Sequence, residues 1–272
     1  MPELPEVETT RRGIAPHLSG ARLTDVIVRE PRLRWRVADD LPASAVGRPI
    51  EGVGRRAKYV LIHLNDDHHL LLHLGMSGSV RVTQPTAGLL AHDHVLITLD
   101  SGAQLRFNDP RRFGSLHLVH GAPETHPLLA GLGPEPLSAE FNGDHLYAIS
   151  RNRRASTKAF IMDAKVVVGV GNIYAAEALH RAGIHPGRPA RRVARARYRQ
   201  LAAAIKAVLG EAIDVGGTTL RDFTASDGQP GYFRQSLAVY ARAGLPCPRC
   251  GRRLRARVIG QRTTVFCTGC QT

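Results

Sequence analysis

The sequence predicts an α+β chain with more than one domain. Short β-forming runs fill the first half, alanine-rich stretches with helical spacing fill the second half, and all four cysteines stand near the C-terminus. At 272 residues and 43% hydrophobic content, the chain is long enough for one large core or two modest ones. We expect two domains followed by a small cysteine module.

The first half is expected to begin with a helix and to continue as strands. Pro5 is tolerated in the first turn of a helix, and Glu6 and Glu8 lie favourably at its positive end. Runs of β-forming residues broken by turn residues then predict strands, with a hairpin turn at 100–102. The predicted strands are 21–28, 58–64, 70–74, 79–82, 94–99, 104–108 and 115–119.

The second half is expected to be helical after a linker. Residues 121–136 hold four prolines and three glycines, which suits a connection better than a regular element. Residues 237–240 are predicted as the first strand of the cysteine module. The predicted helices are 144–149, 157–163, 173–182 and 195–213.

The charge distribution points to nucleic acid as the partner. The formal net charge is +14, the pI is about 10.6, and the stretches 178–210 and 228–272 contain basic residues but no acidic ones. Phosphates would neutralise such a surplus. No apolar run could span a bilayer, and no basic helix has a lipid-facing stripe, so membranes are not expected as partners. The acidic start is neither a signal nor a transit peptide. We expect a cytoplasmic monomer without an obligate protein partner.

The four cysteines predict one structural Zn²⁺ ion. They form two Cys-x-x-Cys pairs separated by sixteen residues, a spacing typical of tetrahedral four-thiolate zinc sites. Two disulfides are the alternative, disfavoured in a reducing cytosol, and a thiol redox protein lacks support because neither pair follows a strand and opens a helix. Five arginines between the pairs face DNA or partly compensate the thiolate charge. The ligands are Cys247, Cys250, Cys267 and Cys270, and the arginines are Arg252, Arg253, Arg255, Arg257 and Arg262.

The N-terminus carries a candidate nucleophile. Removal of Met1 leaves Pro2 with a secondary amine, and an α-amino group titrates at about 7.7 to 8.0, so part of it is neutral in the cell. Attack on a sugar carbon gives an iminium without a proton to lose, which acidifies the neighbouring C–H and favours elimination of phosphate. Glu3 and Glu6 lie close enough along the chain to transfer protons at the same sugar.

Several motifs together resemble the formamidopyrimidine-DNA glycosylase family. They are MPELPEVETTRRGI at the start, LGMSGS at 74–79, DPRRFG at 109–114, GVGNIYA at 169–175, SDGQPGYF at 226–233 and the four-cysteine terminus. The resemblance implies a bifunctional enzyme that excises oxidised purines such as 8-oxoguanine and formamidopyrimidines from double-stranded DNA and cleaves the abasic site by β,δ-elimination. It also implies a two-layered β-sandwich with a leading helix, a helix-two-turn-helix domain and a zinc β-hairpin. The expected domains are a catalytic sandwich at 1–130, a linker and the start of the helical domain at 131–150, the DNA-binding helices at 151–236 and the zinc finger at 237–272.

The resemblance also assigns catalytic residues by position. Pro2 corresponds to the Schiff-base nucleophile, Glu3 to the acid that assists at the deoxyribose, and Glu6 to a carboxylate near the lesion. Lys58 corresponds to the proton donor for β-elimination and Arg262 to that for δ-elimination. From the residues alone, Lys58 reads as a strand-edge lysine and Arg262 as a partner of the zinc thiolates.

Flipping a nucleotide out of a duplex leaves a hole, and the resemblance assigns Met76, Phe113 and Arg111 to fill it. Asn172 is predicted to be a helix N-cap that also contacts phosphate. A lesion-covering loop is expected near 218–232. Ala159 departs from the family, in which proline is common. The remaining expected phosphate contacts, or neighbours of them, are His92, Arg112, Arg153 and Lys158.

Two other functions explain part of the sequence. An endonuclease VIII relative uses the same N-terminal proline but prefers oxidised pyrimidines; Leu4 and the residues 7–9 favour the purine enzyme. A non-catalytic zinc-dependent DNA-binding protein explains the charge and the cysteines, but it does not need Pro2 or Glu3.

Overall fold

The computed structural model describes residues 2–217 and 237–272, which fall into two compact units. The first unit consists of residues 2–130 with 215–217, and the second of residues 131–214 with 237–272. None of the helices in these ranges is both long and apolar enough to cross a membrane.

The first unit contains two antiparallel four-stranded sheets and a leading helix, as predicted. One sheet has the order β1-β6-β7-β5 and the other β2-β3-β4-β8. The chain crosses between the sheets three times, from β1 to β2, from β4 to β5 and from β7 to β8. The elements are α1 (Leu4–Leu18), β1 (Leu23–Val28), α2 (Leu41–Ala45), β2 (Ile50–Arg56), β3 (Tyr59–Leu64), β4 (His68–His73), β5 (Ser79–Thr83), β6 (Asp93–Leu99), β7 (Gln104–Asn108) and β8 (Ser115–His120).

One hydrophobic core joins both sheets and the helix α1. Alternate residues of the strands point into it, which is why β3 and β4 contribute every second side chain. The two elements missed by the sequence analysis are α2 and β2. Strand β2 has the sequence IEGVGRR and buries only Ile50, so its glycines and charges hide the strand pattern. The core includes Val7, Ile14, Val26, Ile62, Leu70, Val80, Ile97, Leu105, Phe107 and Leu116.

The second unit is helical and ends in a β-hairpin. Short 3-10 turns occur at Pro123–Thr125 in the first unit and at Ala190–Arg192 in the second. The elements are α3 (Gly143–Ser150), α4 (Thr157–Ile161), α5 (Asn172–Arg181), α6 (Arg195–Asp214), β9 (Arg255–Ile259) and β10 (Arg262–Phe266).

The predicted strand at 237–240 is wrong. These residues form bends and a turn. The carboxylate of Glu177 on α5 accepts the backbone N–H groups of Ala238, Val239 and Tyr240 at 2.8 to 2.9 Å. A side chain therefore satisfies the donors that a neighbouring strand would otherwise have to satisfy.

Candidate functional site

The start of α1 fixes two buried carboxylates next to Pro2. Glu3 is the N-cap residue, its side chain accepts the backbone N–H of Glu6, and the Glu6 carboxylate accepts the N–H of Glu3 at 2.8 Å. This reciprocal capping box and the positive end of the helix hold both carboxylates in place. Gly217 lies against Glu6, since a Cβ there would stand 3.2 Å from Glu6 Oε1. Pro2, Glu3 and Glu6 therefore form one buried group.

Lys58 lies at the tip of the β2–β3 hairpin rather than within a strand. It is the second turn residue, and Ala57 before it has a φ of +54°, a conformation that L residues rarely adopt. Arg55 donates to the Ala57 carbonyl at 2.8 Å and pairs with Glu8 on α1 at 3.1 Å. The helix that begins beside Pro2 is thus tied through Glu8 and Arg55 to the turn that carries Lys58.

Glu8 and Arg55 were not singled out in the sequence as functional, because 47 residues separate them and each is ordinary at its position. Burial raises the pKa of Glu8, but hydrogen bonds from Arg11 and Arg12 and the charges of Arg11 and Arg55 outweigh it and leave the pKa below its usual value. Glu8 is therefore the ionised centre of an arginine cluster.

His73 at the end of β4 is neutral at physiological pH. Burial is the main cause, and the charges of Lys58 and Arg34 add to it, so the pKa of His73 is lowered to about 4. Its Nδ1 accepts the N–H of Gly75 at 3.0 Å. His73 thus fixes the turn that precedes Met76.

The three residues assigned to filling the hole lie on two of the three connections between the sheets. Met76 is on the β4–β5 connection, and Arg111 and Phe113 are on the β7–β8 connection. Met76 is 37% exposed and Phe113 is 43% exposed, which is high for large apolar side chains. The guanidinium of Arg111 lies over the Phe113 ring, 5.1 Å from its centroid.

Two expected phosphate contacts of the first unit are exposed. His92 is exposed in the turn just before β6, and its ring lies 5.9 Å from that of His94. Arg112 is exposed with a φ of +55° and pairs with Glu30 at 3.3 Å. A phosphate bound by Arg112 must therefore compete with this carboxylate.

The prediction that Asn172 is an N-cap is wrong. Gly171 caps α5, and Asn172 is the first helical residue. The Asn172 side chain instead accepts from Lys158 Nζ at 2.5 Å and donates to the Thr263 carbonyl at 3.4 Å. The glycine can take the extended capping conformation, and the Asn172 amide is thereby left for Lys158.

Lys158 lies inside the second unit, with only 1% of its surface exposed. Its ammonium donates to Asn172 and, at 2.6 Å, to Thr264 on β10. The lysine therefore joins α4, α5 and the C-terminal hairpin, and Thr264 is a participant that the sequence analysis missed. Arg153 is exposed in the loop before α4.

Arg262 is the first residue of β10 and is exposed. The turn before it consists of Gly260 and Gln261, both with positive φ, as a two-residue hairpin with a type I′ turn requires. The structure therefore presents Arg262 directly after the tight turn of the hairpin. The lesion-covering loop expected near 218–232 lies outside the described residues.

The four cysteines fit a four-thiolate zinc site. Their Sγ atoms all lie within 4.8 Å of one another, with 3.4 Å between Cys250 and Cys267 and 3.9 Å between Cys247 and Cys270. All four are free, which rules out the disulfide alternative in this structure. A tetrahedral ion with bonds of about 2.3 Å fits such spacings.

The cysteine cluster also depends on a cation to become a set of thiolate ligands. Without a metal ion, burial and hydrogen bonds among the thiols raise the pKa of Cys270 to about 12, which keeps its thiol neutral. Four adjacent thiolates therefore form only when a metal ion neutralises them. His180 Nε2 lies 3.4 Å from Cys247 Sγ, a contact that the sequence did not indicate. With four protein ligands, no coordination position stays open for catalysis.

Sequence comparison places the whole chain in one family. Residues 1–116 match the formamidopyrimidine-DNA glycosylase N-terminal domain, residues 132–224 the formamidopyrimidine-DNA glycosylase H2TH domain, and residues 244–272 a zinc finger found in FPG and IleRS. The formamidopyrimidine-DNA glycosylase of Alkalilimnicola ehrlichii is 61% identical and that of Syntrophotalea carbinolica 58% identical, each match covering all of both chains.

Solved structures agree with the sequence matches. The MutM (Fpg) protein of Thermus thermophilus is similar with a TM-score of 0.89 and 42% identity, over 99% of this chain and 98% of that one. Lactococcus lactis Fpg bound to abasic-site DNA is similar with a TM-score of 0.91 and 31% identity, over 99% of each chain. MutM in a complex with DNA containing carbocyclic 8-oxo-G is similar with a TM-score of 0.91 and 32% identity, over all of both chains. The chain therefore belongs to the formamidopyrimidine-DNA glycosylase family and is a bifunctional DNA glycosylase and AP lyase with one structural zinc ion.

Proposed function

We propose that this protein removes oxidised purines, 8-oxoguanine and formamidopyrimidines, from double-stranded DNA through a Schiff base on Pro2. The observation that carries the proposal is the buried group at the start of α1, where a capping box holds Glu3 and Glu6 beside Pro2. The relatives crystallised with abasic-site DNA and with 8-oxo-G DNA support the choice of substrate.

The first step joins the protein to the sugar. After removal of Met1, the Pro2 nitrogen attacks C1′ of the deoxyribose while the bond from C1′ to the base breaks. The proton of the Pro2 nitrogen goes to the departing base. Glu3 then gives a proton to the ring oxygen O4′ as the bond from C1′ to O4′ breaks and the sugar ring opens. Glu6 lies one helical turn away and supports the lesion. The product is an iminium between Pro2 and C1′, which stays cationic because proline has no second proton to lose.

The second step cleaves the strand. The iminium acidifies the C2′ proton. The Glu3 carboxylate, which has given its proton to O4′, accepts this proton as the C3′–O bond breaks and the 3′-phosphate leaves. In a second elimination, water accepts the C4′ proton as the C5′–O bond breaks and the 5′-phosphate leaves. Lys58 gives a proton to the first leaving phosphate and Arg262 to the second. The tight turns beside both residues favour these assignments, since a proton donor must be held at a fixed position.

Binding of damaged DNA divides between the two units. Residues 1–130 carry the chemistry and the hole-filling side chains, residues 131–150 lead into the helical domain, residues 151–236 form that domain and residues 237–272 the zinc finger. His92, Arg112, Arg153, Lys158 and Asn172 contribute to phosphate binding, directly or by fixing a neighbour. The protein works as a cytoplasmic monomer without a protein partner.

Borohydride trapping with defined duplexes tests the proposal. Duplexes carrying 8-oxoguanine, thymine glycol or no lesion opposite cytosine are incubated with the protein and reduced. We expect a covalent complex with 8-oxoguanine and little with thymine glycol. Preferential trapping with thymine glycol would instead support the specificity of endonuclease VIII, and binding without trapping or cleavage would support a non-catalytic DNA-binding protein.

Glu3→Gln is the matched control for the first step. An abasic site already exposes its aldehyde in the open form of the sugar, so it needs no acid to open the ring, and water can accept the acidified C2′ proton in place of Glu3. The variant should lose excision of 8-oxoguanine by about 10² to 10⁴-fold and keep most of its cleavage of an abasic site. Equal loss on both substrates would contradict the role given to Glu3.

A further inference from the structure

The two connections that carry Met76 and Phe113 run side by side between the sheets. β5 pairs with β7, and Ser79 lies opposite Asn108, so the end of the first connection meets the start of the second. On the far side, β4 pairs with β8, and His73 lies opposite Ser115. Both connections are therefore anchored at both ends to neighbouring strands.

Asp109 is the first residue of the β7–β8 connection, and its side chain binds both connections. Its Oδ1 accepts the hydroxyl of Ser77 at 2.9 Å, one residue after Met76, and its Oδ2 accepts the N–H of Gly114 at 2.7 Å, one residue after Phe113. None of the Asp109 surface is exposed. A buried carboxylate is strongly favoured to keep such donors, because an unpaired buried charge is costly.

The Asp109 backbone holds the turn around it. Its carbonyl oxygen accepts from His94 Nε2 at 2.8 Å and from the N–H of Arg112 at 3.1 Å. Its N–H donates to the His92 carbonyl at 3.0 Å. The aspartate backbone is therefore fixed by His92 and His94, which lie outside both connections, and by Arg112 within its own connection.

The backbones of the two connections also touch. A Cβ at Gly75 would stand 2.4 Å from the Gly114 nitrogen and 2.4 Å from the Phe113 carbonyl carbon, and Gly75 has a φ of +65°. Glycine is thus required here for close approach as well as for backbone conformation. A shift of one connection must move the other.

We propose that Asp109 is a positioning residue that clamps the two connections into one rigid wedge, so that Met76, Arg111 and Phe113 enter the vacated hole together. The inference rests on the proposed function, because it assumes that these side chains fill the hole. Met76 and Phe113 project into solvent without DNA, and the clamp keeps them there before binding. A preorganised wedge loses less conformational freedom on binding than a mobile one.

Single-turnover kinetics on two substrates test the clamp. Excision of 8-oxoguanine opposite cytosine requires the hole to be filled, whereas cleavage of an abasic site in single-stranded DNA does not. Ser77→Ala removes one arm of the clamp, and Ser79→Ala is a matched control two residues away. We expect Ser77→Ala to slow excision in the duplex about 3- to 10-fold. Cleavage of the single strand should stay unchanged, as should both reactions of Ser79→Ala.

Substitutions of Asp109 extend the test. Asp109→Ala should slow duplex excision more than Ser77→Ala, by about tenfold or more. Asp109→Asn should retain most of the rate, because its side-chain carbonyl can accept from Gly114 while its amide donates to Ser77. In a Phe113→Ala background, Ser77→Ala should cause little further loss, because residues that act as one unit are not additive.

The outcomes separate the clamp from the function on which it rests. Equal loss on both substrates, or no loss in Ser77→Ala and Asp109→Ala, overturns the clamp. Ser77→Ala alone decides the question if Asp109→Ala does not fold. Failure of the unsubstituted protein to form a trapped complex with either substrate would instead contradict the proposed function.

Discussion

The start of α1 and the C-terminal hairpin both carry residues assigned to catalysis, yet different forces hold them. Glu3 and Glu6 belong to a helix whose apolar face packs into the large core between two sheets. Arg262 belongs to a hairpin that packs in a small apolar cluster with Ala176 of α5, and this cluster includes the buried cysteines Cys247 and Cys267. Packing therefore positions the first group, whereas we expect the metal to be needed to position the second.

The two regions also differ in how their charges are compensated. Glu8 pairs with Arg11, Arg12 and Arg55 in the first unit. The five arginines between the cysteine pairs are exposed, and among the described residues no ion pair joins them to a carboxylate. The arginines of the hairpin are thus available to bind phosphate. The arginines around Glu8 on α1 are already paired with its carboxylate.

Zinc removal should produce the largest difference between the two regions. Zinc binding contributes on the order of 10 to 16 kcal/mol in comparable small modules. Chelation should therefore abolish hydrogen-exchange protection in residues 244–272 while α1 and the two sheets stay protected. Re-addition of Zn²⁺ should restore it, and Cys250→Ser should resemble the chelated protein. Protection of the hairpin in zinc-free protein would show that packing holds it after all.

Salt should weaken DNA binding by the next largest amount. Raising salt from 50 to 200 mM should lower the affinity for duplex DNA by about 10³ to 10⁵-fold if several phosphates are neutralised. The slope of the logarithm of the binding constant against the logarithm of the salt concentration counts the phosphates that are neutralised. Arg257→Gln on the hairpin should reduce the size of this slope by about one. Arg12→Gln, which removes an arginine already paired with Glu8, should leave the slope unchanged. An equal change of the slope in Arg257→Gln and Arg12→Gln would contradict the view that only the arginines of the hairpin are available to phosphate.

The stability of the first unit should depend on pH through His73. Its folded pKa of about 4 lies below the ordinary 6.5, so between these values the unfolded chain binds a proton that the folded chain does not. The free energy of unfolding therefore falls as the pH decreases, by about 2 kcal/mol from this residue between pH 7 and pH 5.

Urea unfolding of His73→Asn at both pH values measures this contribution. The side-chain carbonyl of the introduced asparagine can replace the imidazole Nδ1 as the acceptor for Gly75 but does not titrate, so the pH dependence should become shallower by that amount. An unchanged dependence would mean that His73 is not the responsible group, since His69, His117 and His126 also have lowered pKa values.

The smallest effect concerns the position of Lys58. A lysine at residue 55 cannot contact both Glu8 and the Ala57 carbonyl, because it lacks the forked donors of arginine. Arg55→Lys should slow strand cleavage about tenfold, by analogy with other coupled networks, and leave the trapped complex intact. Lys206→Gln is a control far from this turn, because it keeps the contacts of Arg55 with Glu8 and with the Ala57 carbonyl. Loss of trapping together with cleavage would place Arg55 in folding rather than in positioning.

Patterns local in sequence were predicted well. The leading helix, seven of the eight strands of the sandwich and the cysteine cluster follow from periodicity and spacing, and the sandwich itself from the family resemblance. The strand at 237–240 failed because Glu177, about sixty residues earlier, satisfies its backbone donors. The prediction of Asn172 as the N-cap failed because Gly171 caps the helix and the Asn172 side-chain carbonyl accepts a hydrogen bond from Lys158.

Long-range pairs could not be predicted because the chain offers no local signal for them. Asp109 reads as the first residue of a family motif, but its contact with Ser77 depends on the pairing of β5 with β7. The acid-free stretch at 178–210 suggests a free cationic face, yet Arg195 and Arg199 pair with Asp144, and Arg181 pairs with Glu211. Linear charge therefore overstates the surface available to DNA.

Peptide mapping of the borohydride-reduced complex tests the central claim most directly. The account predicts that the deoxyribose fragment is attached to the N-terminal nitrogen of Pro2, in protein that has lost Met1. Attachment to Lys58 or to another amine, or full activity in protein that retains Met1, would contradict it.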